Sequence, residues 1–249
     1  MISIKDLVLA IDGNPVLKKI NAQFTIGQIY GICGPNGAGK SSLLRCLLGL
    51  QIPTNGGVFV DNQPVEALSG SVLRNQFCWV PDSQPIPPGY SVADVMSWGQ
   101  IYSKRPSDQN ESAILSSLQS MDLISKKNAK ASSLSQGEFK RLQIARALAS
   151  EAQFLIFDEP TAPLDLSNSK AFGNALKETV GNQKKSVILT SHDLNFLLRF
   201  ADQVSVMNQG ELLETDVPSR LFLSEKFSKA FKMSTEILNS PHGKVIHSW

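Results

Sequence analysis

The sequence predicts an α/β fold, a mostly parallel sheet with helices on its faces, preceded by an antiparallel β part and interrupted by a helical insertion. Three observations predict it. From residue 28 to residue 200 short apolar runs alternate with segments of helical periodicity, as strands joined by crossover helices do. Residues 2–26 read instead as two strands around a tight turn. Residues 82–134 change texture, first proline-rich and then helical.

The elements follow in order. Ile2 and Ile4, then Leu7 and Leu9, alternate as a strand does; a turn at 12–15 ("DGNP") leads into a second run from Val16 to Ile26. Residues 28–33 ("QIYGIC") suit a sheet interior. A glycine-rich turn at 34–39 opens the helix "KSSLLRCLLGL", with Gly49 near its end. A turn at 52–57 precedes the strand "GVFVD". The strand "QFCWV" (76–80) runs into residues 81–90, where four prolines exclude a regular element. Ser91 and Asp94 form a Ser-x-x-Asp helix start, and 108–123 is a further helical stretch. The alternation resumes with a helix at 137–149, a strand at 153–158, a helix at 167–180, a strand at 186–191 and a helix at 193–200. A hairpin at 203–214 turns at Asn208–Gly210, and the tail 216–249 reads as a short helical segment and a final extended piece. The chain 1–249 is thus expected to be one domain, with 82–134 inserted and 216–249 a C-terminal extension.

Composition narrows the function. With 42% apolar and 18% charged residues in 249, a large core is available and global disorder is excluded. A net charge of +2 gives no ground for a nucleic-acid partner. No run approaches the roughly 18 apolar residues of a membrane span, and the opening "MISIKDLVLAIDG" does not read as a signal peptide. Cys33, Cys46 and Cys78 are odd in number, widely spaced and embedded in apolar runs, as buried thiols in a reducing compartment are. A cytoplasmic location is expected.

Chemistry concentrates in three places. Residues 34–41 (Gly34, Pro35, Asn36, Gly37, Ala38, Gly39, Lys40, Ser41) satisfy G-x-x-x-x-G-K-[ST] between a strand and a helix, the setting a phosphate loop requires. Its glycines let backbone N–H groups curl around phosphate oxygens, Lys40 reaches the β- and γ-phosphates, the Ser41 hydroxyl can hold Mg²⁺, and Ser42 is placed for the α-phosphate. The bland alternative is a glycine turn that merely precedes Lys-Ser. In "FLIFDEP" (154–160) two acids end an apolar strand, where α/β sheets present ligands. Asp158 is the Mg²⁺-side acid, and Glu159 can orient a water and take its proton; solvated strand-end acids are the alternative. His192, ending the strand "VILTSH", is placed to hydrogen-bond a γ-phosphate, although a lone strand-end histidine is more often a surface residue. In "SSLSQGEFKRLQIAR" (132–146), Ser135, Gln136 and Gly137 open a helix followed by Lys140, Arg141 and Arg146. That is an anion seat with no phosphate-binding lysine of its own.

"GPNGAGKS", "LSQGE" (134–138), "FLIFDEP", "TAPLD" (161–165) and "SH" (191–192), in this order and spacing, resemble the ATP-binding subunits of ATP-binding-cassette (ABC) transporters over essentially the whole chain. The resemblance implies a P-loop NTPase fold of the ABC type, ATP and Mg²⁺ as ligands, and ATP hydrolysis. It also implies a homodimer that sandwiches ATP head-to-tail. Ser135, Gln136 and Gly137 of one copy then grip the γ-phosphate held by Lys40 of the other, with Asp165 at the junction. Integral membrane permease subunits, a substrate-binding protein and a peripheral place on the inner face of the cell membrane are implied as well.

Three positions depart from the family pattern. Gln136-Gly137-Glu138 stands where Gly-Gly-Gln is common, the adenine-stacking aromatic falls at Ile11, and the glutamine expected after "FCWVP" falls at Asp82, with Gln84 two residues on; either could face the metal and nucleotide. The loop 82–90, the segment "SVADVMSWG" and the tail resemble importers of iron chelates, haem and cobalamin, whose subunits close with a short helix and a strand. The alternatives are an exporter ATPase subunit, a soluble cassette ATPase that moves no solute, or a regulator without turnover. One cassette per chain and no sustained heptads between Lys40 and Leu134 weigh against the soluble forms; Glu159 and His192 weigh against the regulator.

Overall fold

The computed structural model describes residues 1–85, 88–101, 103–183, 185–240 and 243–248. It begins with β1 (Ile2–Ile11) and β2 (Asn14–Phe24), an antiparallel pair turning at Asp12 and Gly13, both left-handed as a two-residue hairpin turn requires. Next come β3 (Ile29–Cys33), α1 (Lys40–Leu47), β4 (Asn55–Val60) and the two-residue β5 (Gln63–Pro64). Strands β2, β1, β4 and β5 form one antiparallel sheet in that order. After it, α2 (Gly70–Gln76) leads into β6 (Phe77–Val80), and α3 (Val92–Trp98) and α4 (Ser107–Ser120) occupy the expected helical segment. The chain continues through α5 (Gln136–Ala149), β7 (Phe154–Phe157), α6 (Leu166–Gln183), β8 (Ser186–Thr190) and α7 (Leu194–Phe200). It closes with β9 (Gln203–Asn208), β10 (Glu211–Asp216), α8 (Pro218–Leu221), α9 (Glu225–Phe231), β11 (Thr235–Ser240) and β12 (Gly243–Ser248).

The second sheet has the order β10-β9-β3-β8-β7-β6, with all neighbours parallel except the edge pair β9/β10. Both its faces are covered, which is why β3, β7 and β8 are apolar throughout rather than alternating with polar residues. The period of two still divides them. Leu155 and Phe157 of β7 enter a core with α5, α6 and α7, whereas Phe154 and Ile156 enter a second core with α1 and the antiparallel sheet. The parallel register sets Ile32 opposite Thr190 and Leu189 opposite Phe157. Residues following β3, β7 and β8 therefore emerge together at one edge, where the phosphate loop, the two acids and His192 lie.

Helix α5 is buried on most sides, capped at its start and tied to other segments at its end. Ser135 caps its start. At its end, Lys185 donates to the carbonyls of Leu148 (3.2 Å) and Ser150 (2.5 Å), while Arg105 (3.1 Å) and Gln100 (2.9 Å) donate to that of Ala149. Cations there answer the negative end of the helix, and burial pushes the Lys185 ammonium down to about 8.

Structure and expectation differ in two places. Helix α2 was not expected: "GSVLRNQ" buries no side chain, so no apolar stripe announced it, and Ser69, accepting the Val72 N–H at 3.4 Å, marks its start. The tail is not a short helix and one strand. Two helices are followed by a hairpin, β11 pairing β12 from Thr235↔Ser248 to Ser240↔Gly243, and Ile246 N–H donates to Asn195 of α7 at 2.8 Å. The loop 81–90 carries no helix or strand at its described residues; 86 and 87 lie outside them. Cys33 and Cys46 are buried and Cys78 is half-buried, all as free thiols, and burial pushes Cys33 up to about 12 and Cys46 up to about 11. Among the described residues, no helix is long and apolar enough to cross a membrane.

Phe172 of α6 is fully buried, stacked on Phe196 (5.6 Å between centroids) and edge-on to Phe157 (5.3 Å). Phe172→Ala should destabilise the protein by about 3–5 kcal/mol in urea unfolding, the range of large-to-small core changes.

Candidate active site

The phosphate loop leaves β3 and delivers α1. Gly39 occupies the cap of α1 at φ +99°, and a Cβ there would meet Leu17 Cδ2 at 2.8 Å, so glycine is required. No side chain caps α1, which leaves its first N–H groups for an anion. Lys40, 7% exposed, folds back so that Nζ donates to the carbonyls of Gly34 (2.9 Å) and Pro35 (3.3 Å) and approaches His192 Nε2 at 3.3 Å. Burial pushes this ammonium down, and Glu159 and then Asp158 pull it back up. Those carbonyls hold the cation where phosphate oxygens would compete for it.

Thr190, at the end of β8, organises the acids. Its hydroxyl donates to Asp158 Oδ1 at 2.6 Å and accepts the Glu159 N–H at 2.9 Å. Asp158 is buried and its own N–H bonds the Val80 carbonyl at 2.9 Å. Glu159 sits at φ +45°, a conformation disfavoured for a side chain of its size and found where the surroundings over-determine it. Its Oε2 accepts the His192 N–H at 3.2 Å. Its Oε1 lies 3.2 Å from His192 Nε2 and 3.9 Å from Lys40 Nζ, buried, yet accepts no hydrogen bond. An ammonium only donates, so the Lys40 contact needs Nε2 without a proton, and Nε2 then has none to offer Oε1. Burial pushes the Glu159 carboxyl up, opposed by His192 and Lys40.

Glu159 and His192 line a cleft of about 390 Å³ together with Val16, residues 36–42 and Asp82. The donors suit a triphosphate: unspent loop N–H groups, a buried lysine and two serine hydroxyls. For Mg²⁺ the available ligands are the Ser41 hydroxyl and the second oxygen of Asp158, hard donors of the right kind. Among the described residues no group of three or more His, Cys, Asp or Glu could hold a metal alone, so the cation would share phosphate oxygens. Of the two candidates after β6, Asp82 lines the cleft, while Gln84 points to α5, accepting from Gln143 Nε2 at 2.9 Å. Ile11, at the end of β1, is 42% exposed and is not among the lining residues.

The second seat lies elsewhere: no residue of 134–138 lines the cleft. Ser135 Oγ accepts the Glu138 N–H (3.3 Å), Glu138 Oε2 accepts the Ser135 N–H (2.9 Å), and Lys126 donates to Glu138 Oε1 (2.5 Å). Glu138 is thus the second half of a capping box, a role that accounts for an acid here. The Lys126 bond, and then the Ser135 N–H, pull its carboxyl down to about 2. Ser135 and Gln136 are exposed; the Ser135 hydroxyl keeps its proton to donate, and the N–H groups of Gln136 and Gly137 have no acceptor within the helix. Asp165 is exposed and caps α6, accepting the Asn168 N–H at 2.8 Å and its side-chain amide at 2.9 Å. A Cβ on Gly137 would come 3.2 Å from the Pro163 carbonyl, so the two loops are in contact. Three participants escaped sequence reasoning. Thr190 was visible only as a strand-end hydroxyl, Lys140 as one cation of three, and Gln143 gave no signal.

A family model described as "ABC transporter" matches residues 17–162. The chain belongs to the ABC transporter family. Among curated relatives of the cassette, the hemin import ATP-binding protein HmuV of Shewanella denitrificans is 30% identical over 246 residues, covering 96% of both chains. The cobalamin import ATP-binding protein BtuD of Halobacterium salinarum is 28% identical over 242 residues, and the match spans 96% of this chain but only 61% of that relative. The methionine import ATP-binding protein MetN of Escherichia coli is 32% identical over 230 residues, 90% of this chain and 67% of the relative. A dimeric bacterial ABC transporter cassette superposes with a TM-score of 0.79 at 26% identity, over 88% of this chain and 99% of that one.

The Glu138 carboxyl is held below its usual 4.5, at about 2, so its stabilising contribution is complete above pH 4.5 and is lost as pH falls toward 2. Thermal unfolding of the cassette should therefore show Glu138→Gln less stable at neutral pH, with the Tm gap to wild type narrowing across that window.

Proposed function

We propose that the cassette hydrolyses ATP at two sites shared between two copies of the chain and so drives a membrane permease. The observation that carries this reading is the separation of two half-sites. The cleft around Lys40 contains no residue of 134–138, and the Ser135–Gly137 seat, with Ser135 and Gln136 exposed, has no phosphate loop of its own. Each half gains its partner if a second copy docks head-to-tail. Asp165, exposed two residues beyond the Pro163 carbonyl that faces Gly137, then belongs to the junction.

In this mechanism Lys40 leaves the Gly34 and Pro35 carbonyls for the β- and γ-phosphate oxygens. Ser41 and Asp158 hold Mg²⁺, which when bound neutralises charge on those oxygens. Without Lys40 beside it, Nε2 of His192 can carry the ring proton and donate to the γ-phosphate. Glu159, with the unpaired Oε1 and a carboxyl raised toward working pH, takes a proton from the attacking water as the bond to ADP breaks. Asp82 stands where the family has glutamine, against the phosphates, and Gln84 serves the loop rather than the nucleotide. Ile11 offers the adenine an aliphatic surface only.

The cargo we infer is an iron chelate, haem, cobalamin or a related metal compound. This rests on the likeness of 82–99 and the tail to importers of that group, and on the hemin and cobalamin subunits among the relatives. The permease docks on the 82–134 segment of the single-domain cassette, at the inner membrane face, and a substrate-binding protein delivers the solute.

Glu159→Gln should lower the rate of phosphate release about 10²–10⁴-fold, the usual worth of a general base, and trap an ATP-bound dimer in size-exclusion chromatography with and without permease. A variant that stays monomeric with ATP while wild type turns over removes the shared site. Because burial raises the Glu159 carboxyl, turnover should fall on acidification through a pKa above the ordinary 4.5. Uptake assays with the co-purified permease across iron chelates, haem and cobalamin test the cargo, and transport of none of them overturns that class.

A further inference from the structure

Lys140 lies in the second turn of α5, 3% exposed, and the chemistry above makes no use of its charge. Its Nζ donates to the carbonyl of Pro81 at 2.8 Å and to that of Asp82 at 2.9 Å. Three residues on, on the same helix face, Gln143 is 2% exposed and donates to Gln84 at 2.9 Å. The loop after β6 is thus fastened to α5 at two points. Asp82 forms part of the wall of the phosphate cleft, and also of a neighbouring cavity of about 370 Å³ lined by Gln84, Gln136, Lys140 and Gln143. Burial pushes the Lys140 ammonium down, while Asp82 first, then Asp158 and Glu159, pull it up, so it feels all three acids of the site. A neutral amide could serve a carbonyl without the desolvation that a buried ammonium incurs. A charge retained here, beside an aspartate where the family has a neutral glutamine, points to a role in the site.

We propose that Lys140 is a positioning residue for hydrolysis: by holding the Pro81 and Asp82 carbonyls it fixes Asp82 in one cleft, and through α5 it ties that position to the pose of Ser135–Gly137 in the other. The proposal rests on the shared-site reading. Gln143 keeps the loop from pivoting about the Lys140 contact. Loss of the clamp leaves each phosphate loop intact, so the first half-site still binds nucleotide. What it loses is the alignment of the second half-site on the first.

The test uses the full chain carrying Glu159→Gln, with Lys140→Gln added, and thermal unfolding to establish that each protein is folded. Binding of a fluorescent ADP reports the single cleft, and light scattering against ATP concentration reports pairing. The expected result is a split: ADP affinity changes by less than about twofold, within the additivity of independent sites. The ATP concentration for half-maximal pairing rises about tenfold, the scale of one charge-assisted hydrogen bond. Gln143→Leu should give the same split, about threefold in pairing, as for one neutral hydrogen bond, and decides the matter if Lys140→Gln does not fold. Pairing unchanged in a folded variant overturns the proposal, as does an equal loss of ADP affinity and pairing. If the Glu159→Gln parent itself does not pair with ATP, the shared site fails and the role of Lys140 fails with it.

Discussion

The hydroxyl of Thr190 is the contact on which the site depends. It donates to Asp158 and accepts from the Glu159 backbone, so one oxygen at the end of β8 fixes both acids that follow β7. Parallel pairing puts it there: with Leu189 opposite Phe157, the next residues of the two strands face each other across one hydrogen bond. The same sheet brings β3 alongside β8, and with it the phosphate loop. Antiparallel neighbours would send these three strand ends to opposite edges, and the cation, the acids and the histidine would not meet.

Charge balance inside the cleft follows from that arrangement. Lys40, Asp82, Glu159 and His192 meet in one small cleft, with Asp158 next to Glu159 in the chain. For Lys40 and Glu159 burial works against the charge, and neighbours of opposite sign restore part of it. Lys40 and Glu159 illustrate the compromise, one pushed down and the other up. The Glu159 oxygen that accepts no hydrogen bond lies within reach of both His192 and Lys40.

Legibility in the sequence followed the range of the interactions. The phosphate loop, the acid pair and the helix start at Ser135 are local: glycines at positive φ, a strand ending in acids, a cap with its reciprocal acid three residues on. The buried strands were legible from apolar runs bounded by turn residues. What could not be read depends on contacts between distant segments. Thr190 matters because of a strand 31 residues away, and Lys140 and Gln143 because of a loop 58–59 residues away. The choice between Asp82 and Gln84 was undecidable for the same reason, since it turns on which side chain Gln143 occupies. The tail failed differently: its second strand has no strong alternation of its own, and only pairing with β11 and docking on Asn195 give it an identity.

The unequal fastening of α5 has a mechanical sequel. Its far end is gripped by Lys185, Arg105 and Gln100, whereas its near end, at Ser135, stands in solvent. A rod of 14 residues, about 21 Å long at 1.5 Å per residue, is held at Ala149 and again at Lys140 and Gln143, so it acts as a stiff strut between its fastenings. A rearrangement beside Asp82 that displaces Lys140 is passed along this strut to Ser135, little more than one turn away.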